Sequence, residues 1–393
     1  MTSHSRSRAL LSAILLCLLT ASPLFGEPSP EQMETVFERS QVSAGDRFRL
    51  ARVFAKAARG EDLVVGVIGG SITQGAKATT PERRYPDVVA QWWRTNFPDT
   101  KVTLINAGIG ATGSNYGALR VQRDLLSKHP DFVILEYSCN DGNLQASAVT
   151  LEGLVRQILK TPNAPAVVLL FMTRSDGSNA QEWHAKVGEH YRLPMVSFRD
   201  GLAPGWKSGE LKVEDFLADN VHPNDFGHAA AAHCVTRLLE AARKSGGWSL
   251  ERVALPPPLF SADYEFTELR EAEELTPTAN EGWTFLPKEK AWHSDQPGSV
   301  VEFVVKGRSI LFMSHVIRGA MGRARVQVDD GTPKVIDGWF SGTWGGYRNT
   351  TVLAEGLDAT APHRVKVELL EEKNPESAGH GFSILGLGSA GAQ

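Results

Sequence analysis

The chain has little of several features that mark large functional classes. Its 393 residues include three cysteines, too few for a disulfide framework, and Cys139 and Cys234 could either pair or remain as buried free thiols. The formal net charge of −4 provides no basic surface for nucleic acid. After the N-terminal segment, no apolar run is long enough to cross a bilayer. We therefore expect no nucleic-acid partner and no stable membrane association, and the oligomeric state stays open.

The N-terminal segment has the pattern of a secretory signal peptide. Arg6 and Arg8 precede an apolar stretch at residues 9–19, and small residues follow up to Gly26. Because the apolar stretch is too short to span a membrane, we interpret residues 1–26 as a cleaved signal rather than as an anchor. The mature protein is then expected to be exported, either to the periplasm or out of the cell.

Apolar runs of strand length alternate with amphipathic segments through the first two thirds of the chain. The predicted strands are residues 63–68, 102–106, 131–137, 166–172 and 195–198, and the predicted helices are residues 46–59, 85–93, 116–126, 151–160, 181–190 and 225–244. This alternation predicts right-handed βαβ units and a parallel sheet with helices on both faces, an α/β/α three-layer fold.

The pattern changes at the triple proline of residues 256–258, which we interpret as a stiff spacer. Beyond it, short alternating runs and glycine-rich turns predict an antiparallel, jelly-roll-like β-sandwich, with a hairpin turn at residues 329–331. The predicted strands are residues 300–305, 309–315, 324–328, 335–339, 350–353, 364–370 and 382–387. The predicted domains are residues 27–258 and residues 259–393.

The residues that could perform chemistry lie where predicted strands end or in a late loop, so they are expected to meet in one crevice. Hydrolysis of an ester through a serine needs a nucleophile, a base, a group that orients the base, and donors for the oxyanion. Ser71 is the candidate nucleophile and His222 the base, and Asp219 is close enough in sequence to reach Nδ1–H of His222. The candidate donors are the backbone N–H of Ser71, a backbone N–H within residues 108–113, and the side-chain amide of Asn140. This chemistry requires no metal and no organic cofactor.

These residues also have structural interpretations. Ser71 could cap the helix that follows it, and Asp219 with His222 could stabilise a turn. Asn140 and Asp141 could satisfy turn hydrogen bonds, and for Asp141 that is the only role we assign.

Two other interpretations of the motifs are disfavoured. The nucleophile elbow of the α/β-hydrolases fails because Thr73 stands where its second glycine belongs, and because Asp219 and His222 are neighbours in sequence. His228 and His233 suggest a metal site, but residues five apart point to different helix faces.

Over residues 63–239 the chain resembles the SGNH, or GDSL-type, hydrolase superfamily. The matching blocks are residues 69–73 with Ser71, residues 106–113, residues 138–141 with Asn140, and residues 219–223 with Asp219 and His222. Two positions depart from the family pattern: Gly70 replaces the usual aspartate, and Ser138 replaces the usual glycine. The resemblance implies a flavodoxin-like sheet with a catalytic serine, acid and base, and a second-block N–H in the oxyanion hole. That N–H belongs to Gly110 or Ala111, and we choose Gly110.

The resemblance also implies a substrate class, because exported members with a sandwich domain are often carbohydrate esterases that remove O-acetyl groups. We therefore expect a serine esterase acting on an acylated poly- or oligosaccharide. The alternatives are a lipid or thioester hydrolase, an acyltransferase, and a glycan-binding module without activity. Four aromatic residues of the second domain could stack on sugar rings or pack in the sandwich core: Trp339, Phe340, Trp344 and Tyr347.

Overall fold

The computed structural model describes residues 28–46, 48–245 and 254–391. The predicted signal peptide at residues 1–26 lies outside these residues. Within them, an α/β part is followed by a β-rich part, as the sequence predicts. No helix in the described ranges has both the length and the apolar character needed to cross a membrane.

The α/β part is built on one sheet with helices on both faces. Its strands are β1 (Gln41–Ser43), β2 (Leu63–Gly69), β3 (Val102–Gly108), β4 (Phe132–Glu136), β5 (Ala166–Phe171) and β6 (Met195–Ser197). The strand order is β1-β6-β5-β4-β2-β3, with β2 to β6 parallel. The short strand β1 adds an antiparallel edge that the sequence did not indicate. In doubly wound sheets of this kind, ligands bind where the strand order reverses, which here is beside β2.

The helices divide between the two faces of the sheet. They are α1 (Pro30–Arg39), α2 (Phe48–Ala58), α3 (Ser71–Gln74), α4 (Tyr85–Asn96), α5 (Ser114–Asp124), α6 (Gln145–Leu159), α7 (Gln181–His190), α8 (Phe198–Ser208) and α9 (Asp225–Lys244). Helices α1, α2, α4, α8 and α9 contribute to one apolar cluster, and α5, α6 and α7 contribute to the other. The neighbouring strand residues Val67 and Ile68 are fully buried in opposite clusters, which explains the continuous apolar runs in the sequence.

Parallel register brings three strand ends to the same level. Gly69 of β2 lies opposite Gly108 of β3 on one side and Glu136 of β4 on the other. The loops that begin at these positions carry Ser71, the second-block glycines and Asn140. The pairing of the strands therefore places these separate stretches of sequence side by side.

The sequence prediction missed helices α1 and α8. For α1 a signal was present, because the Ser29 hydroxyl accepts from the Gln32 N–H while the Gln32 side chain accepts from the Ser29 N–H, a capping box with proline at the first helical position. Helix α8 contains Pro204, which normally argues against a helix interior. Its start is fixed by the Ser197 hydroxyl, which accepts from the Asp200 N–H at 2.9 Å.

The β-rich part is a sandwich of two antiparallel sheets. Its strands are β7 (Thr267–Glu271), β8 (Ala279–Glu281), β9 (Thr284–Leu286), β10 (Ala291–Ser294), β11 (Val300–Lys306), β12 (Ser309–Val316), β13 (Arg323–Val328), β14 (Lys334–Asp337), β15 (Tyr347–Ala354), β16 (Pro362–Leu369) and β17 (Phe382–Ala390). One sheet has the order β15-β12-β17-β10-β9, with β7 also on β17, and the other has the order β14-β13-β16-β11-β8. Strands β7 to β10 were not predicted, whereas the turn at residues 329–331 joins β13 and β14 as expected.

The segment between the two parts is fixed by a buried carboxylate on α6. Glu152 accepts hydrogen bonds from the backbone N–H groups of Leu259, Phe260 and Ser261 and from the Tyr191 hydroxyl. Arg156, one helical turn later, donates to the Pro256 carbonyl at 2.8 Å. The chain that follows the triple proline is thus held against α6 by charge-assisted hydrogen bonds.

Helix α5 forms the main contact with the sandwich. Leu119 packs directly against Gly388 of β17, where a β-carbon would lie 2.3 Å from the Leu119 side chain and would force that side chain to move. Glu271 of β7 pairs with Arg123 of α5 and with Arg348 of β15, each at 2.8 Å. The sandwich therefore lies against the helix that directly follows the second-block loop.

Candidate active site

Ser71, His222 and Asp219 form a continuous chain of hydrogen bonds. The Ser71 Oγ lies 2.8 Å from His222 Nε2, and His222 Nδ1 lies 2.9 Å from Asp219 Oδ2. Nδ1–H donating to the carboxylate leaves Nε2 free to accept the serine proton, which is the tautomer that base catalysis needs. The side chains of His222 and Asp219 are 26% and 34% exposed, so the chain of bonds lies at the surface of a crevice.

Local backbone geometry holds the acid and the base. Asp219 Oδ1 accepts from the backbone N–H groups of Val221 and His222 at 2.9 and 2.8 Å. Partial burial of the Asp219 carboxyl opposes its ionisation, but these bonds and the His222 side chain outweigh burial and lower the pKa of Asp219 below its usual value. The acid is therefore an ionised acceptor at neutral pH.

Ser71 is the first residue of the one-turn helix α3, so its own N–H has no acceptor within the helix. Asn140 lies immediately beside it. A β-carbon on Gly70 would be 1.9 Å from Asn140 Oδ1, so a side chain at position 70 would require the Asn140 amide to shift. The absence of a side chain at Gly70 lets Asn140 lie this close to the nucleophile turn.

The turn that contains Gly110 and Ala111 is also adjacent to the nucleophile. A β-carbon on Gly110 would lie 3.7 Å from the Ser71 β-carbon. The Gly110 N–H, however, donates to Gln74 Oε1 at 3.0 Å. Ala111 adopts a left-handed conformation with φ of 57°, and its N–H has no hydrogen-bond acceptor in the part of the chain that the structure describes. Use of the Gly110 N–H by an oxyanion requires Gln74 to move away, whereas use of the Ala111 N–H does not.

A buried carboxyl group, which the sequence analysis did not identify, lies next to the turn that carries the nucleophile. Glu136 at the end of β4 is fully buried and lies 3.4 Å from both the Thr73 and the Ser138 hydroxyl groups. Burial raises the pKa of Glu136 to about 7, and the hydrogen bonds from Ser138 and Thr73 offset only part of that rise. Glu136 thus joins the turn that carries Ser71 to the loop that carries Asn140.

Two further buried groups hold the loops of the site. Asp141 accepts from the Ser114 N–H at 2.8 Å and pairs with His184 at 3.0 Å, which ties the Asn140 loop to the start of α5. Arg120 of α5 is buried and donates to the Gly69 carbonyl at 3.2 Å. Asp141 could be identified from the sequence because it is a polar residue that follows a predicted strand. His184 and Arg120 lie within helices, where the sequence pattern does not indicate a role at the site.

The remaining candidates have structural partners. His228 Nε2 donates to the Ala76 carbonyl at 3.1 Å, and the His233 ring lies against Phe37 with centroids 4.1 Å apart. Among the described residues, no cluster of three or more His, Cys, Asp or Glu side chains is arranged to hold a metal ion. Cys139 and Cys234 are both buried and free.

Comparisons with known proteins agree with this geometry. The family model for the GDSL-like lipase/acylhydrolase family matches residues 67–230. A crystal structure of a two-domain esterase, CEX, active on acetylated mannans is 30% identical, with a TM-score of 0.83, and the match covers 91% of this chain and 99% of that chain. The same esterase co-crystallized with mannopentaose gives 30% identity and a TM-score of 0.82, covering 91% and 98% of the two chains. No curated protein sequence matches significantly.

We predict that Glu136→Gln changes the pH dependence of stability. Because burial raises the pKa of Glu136 from 4.5 to about 7, the neutral carboxyl contributes stability that is complete below pH 4.5 and is lost as the pH rises to about 7. The glutamine variant has no proton to lose at this position. Urea unfolding between pH 4 and 8 should therefore show the free energy of unfolding of the wild type falling relative to the variant in this window. Parallel curves for the two proteins would contradict a neutral buried Glu136.

Proposed function

Because the chain belongs to the GDSL-like lipase/acylhydrolase family, we propose that it is an exported serine esterase that removes O-acetyl groups from a mannan-type polysaccharide. The observation that carries the serine chemistry is the 2.8 Å contact of Ser71 Oγ with His222 Nε2. The substrate class is supported by the two-domain esterase active on acetylated mannans, which matches both parts of this chain. Export is supported by the signal-peptide pattern at residues 1–26.

In the proposed first half-reaction, Ser71 Oγ attacks the acetyl carbonyl carbon while His222 Nε2 accepts the hydroxyl proton. The oxyanion that forms is stabilised by the N–H of Ser71, the amide of Asn140 and an N–H of the turn containing Gly110 and Ala111. Asp219 stabilises the resulting imidazolium through Nδ1–H. Collapse of the intermediate breaks the ester C–O bond, and the departing sugar oxygen takes the proton from His222.

The second half-reaction repeats these steps with water. His222 accepts a proton from the water, whose oxygen attacks the acetyl carbonyl carbon of the acyl-Ser71 intermediate. The same donors stabilise the second oxyanion, and collapse returns the proton to Ser71 Oγ and releases acetic acid, which ionises to acetate in solution. Apart from the ester and water, no group outside the chain is required to balance either step.

We predict that Ser71→Ala abolishes acetate release while the fold is retained. The substitution removes the nucleophilic oxygen but leaves the α3 turn and its backbone hydrogen bonds intact. The measurement is acetate release from acetylated mannan and from p-nitrophenyl acetate, with circular dichroism to verify folding. Turnover at the wild-type rate in the variant would contradict the acyl-serine mechanism, and cleavage of long-chain acyl esters alone by the wild type would favour a lipid hydrolase.

We predict that Asn140→Ala lowers kcat for p-nitrophenyl acetate by about 10²- to 10³-fold with little change in KM, because one oxyanion donor is lost. The control is Asn143→Ala, which removes an exposed amide from the same loop. The control should retain wild-type kcat. Equal kcat in the two variants would exclude Asn140 from transition-state stabilisation.

A further inference from the structure

The sandwich carries an exposed group of aromatic rings that is not part of its core. This aromatic cluster consists of Phe340, Trp344 and Tyr347. The Trp344 ring stacks near Tyr347 with centroids 5.6 Å apart, and Phe340 contacts both rings edge-on. Trp344 is 64% exposed, although burying an indole is strongly favourable. Core packing therefore accounts for the half-buried rings of Phe340 and Tyr347 but not for the exposed ring of Trp344.

A cleft of about 480 Å³ lies next to these rings, between the edge strands β14 and β15. Trp339, Phe340 and Tyr347 line it together with polar side chains, including Asp337 and Asn349. Flat aromatic faces combined with a few hydrogen-bonding groups suit a ligand that has an apolar face and polar edges. A pyranose ring is such a ligand, because its C–H groups form a face and its hydroxyl groups form the rim.

The contacts of α5 show which strand of the sandwich lies nearest the active site. Leu119 of α5 packs on Gly388 of β17. Gly388 and Val352 of β15 both pair with Leu311 of β12, so they lie at the same height in the sheet. Asn115, one turn closer to the start of α5, donates to the Thr350 carbonyl. Passing along α5 toward its N-terminus thus leads from β17, across β12, to the edge strand β15.

This direction leads toward Ser71. Helix α5 begins at Ser114, directly after the turn of Gly110 and Ala111 that adjoins Ser71. Tyr347 lies three residues along β15 from Thr350, which is about 10 Å at the rise of a β-strand. The aromatic cluster therefore lies at one end of the strand that contacts the start of α5, about 10 Å along that strand from the Asn115 contact.

We propose that the aromatic cluster is a distal sugar-binding subsite, at which a hexopyranose of the polysaccharide backbone stacks on Trp344 while an acetylated residue of the same chain reaches Ser71. The inference rests on the proposed function and names how the substrate is held. The substrate then bridges the two parts of the molecule, and the sandwich contributes specificity for long chains. A short synthetic ester cannot reach the subsite, so its hydrolysis does not depend on Trp344.

The test compares Trp344→Ala with wild type on acetylated mannan polymer, on a short acetylated manno-oligosaccharide and on p-nitrophenyl acetate. We expect KM for the polymer to rise roughly tenfold, since one aromatic stacking contact is lost, while kcat/KM for p-nitrophenyl acetate stays at the wild-type value. The matched control is Phe266→Ala, which removes another exposed aromatic ring of the same part of the chain and should behave as wild type on all three substrates. Size-exclusion chromatography of all proteins accompanies the kinetics.

The outcomes separate this inference from the proposed function. Unchanged polymer kinetics in Trp344→Ala, with an active wild type, would overturn the subsite and leave the esterase proposal standing. An equal loss on p-nitrophenyl acetate would show a structural role, and a change in oligomeric state without a change in polymer KM would show a contact between copies; both would overturn the subsite. A wild type that cleaves p-nitrophenyl acetate but no acetylated glycan would overturn the proposed substrate and the subsite with it.

Discussion

The parallel pairing of β2 with β3 and β4 is the constraint on which the site depends. Gly69 is in register with both Gly108 and Glu136, so the loops that follow the three strands start from one level. A shift of one residue in either pairing would move Asn140 or the second-block turn by about 3.3 Å relative to Ser71 and reverse the faces of the strand. Three hydrogen-bonding groups from distant parts of the sequence thus meet without any long-range covalent link.

Close packing then converts this alignment into a defined site. Asn140 lies against Gly70, and a side chain at position 70 would force the Asn140 amide, a candidate oxyanion donor, to move. Buried polar groups complete the support. Arg120 donates to the carbonyl at the end of β2, and Asp141 with His184 holds the Asn140 loop. Glu136 connects the turn that carries Ser71 to the Asn140 loop through the Thr73 and Ser138 hydroxyl groups. Hydrogen bonds between buried polar groups favour one arrangement of the loops over others.

The elements that the sequence predicted well are those whose signals are local. Strand β2 is a continuous apolar run, and the three-residue spacing of Asp219 and His222 sets their contact within a single turn. Helix α8 was missed because Pro204 argues locally against a helix that tertiary packing nevertheless stabilises. The bond between Gln74 and Gly110 and the burial of Glu136 depend on contacts between strands distant in sequence, so periodicity could not reveal them.

The central claim is that Ser71 is the nucleophile and that His222 activates it. The most direct measurement is intact-protein mass spectrometry after reaction with a short p-nitrophenyl phosphonate, followed by peptide mapping of the modified residue. Attack by Ser71 Oγ on phosphorus releases p-nitrophenolate and leaves a stable adduct that resembles the tetrahedral intermediate. The account predicts one adduct per chain, located on Ser71 and formed far more slowly in His222→Ala. Loss of activity with the adduct on another residue, or equal rates in the two proteins, would contradict it.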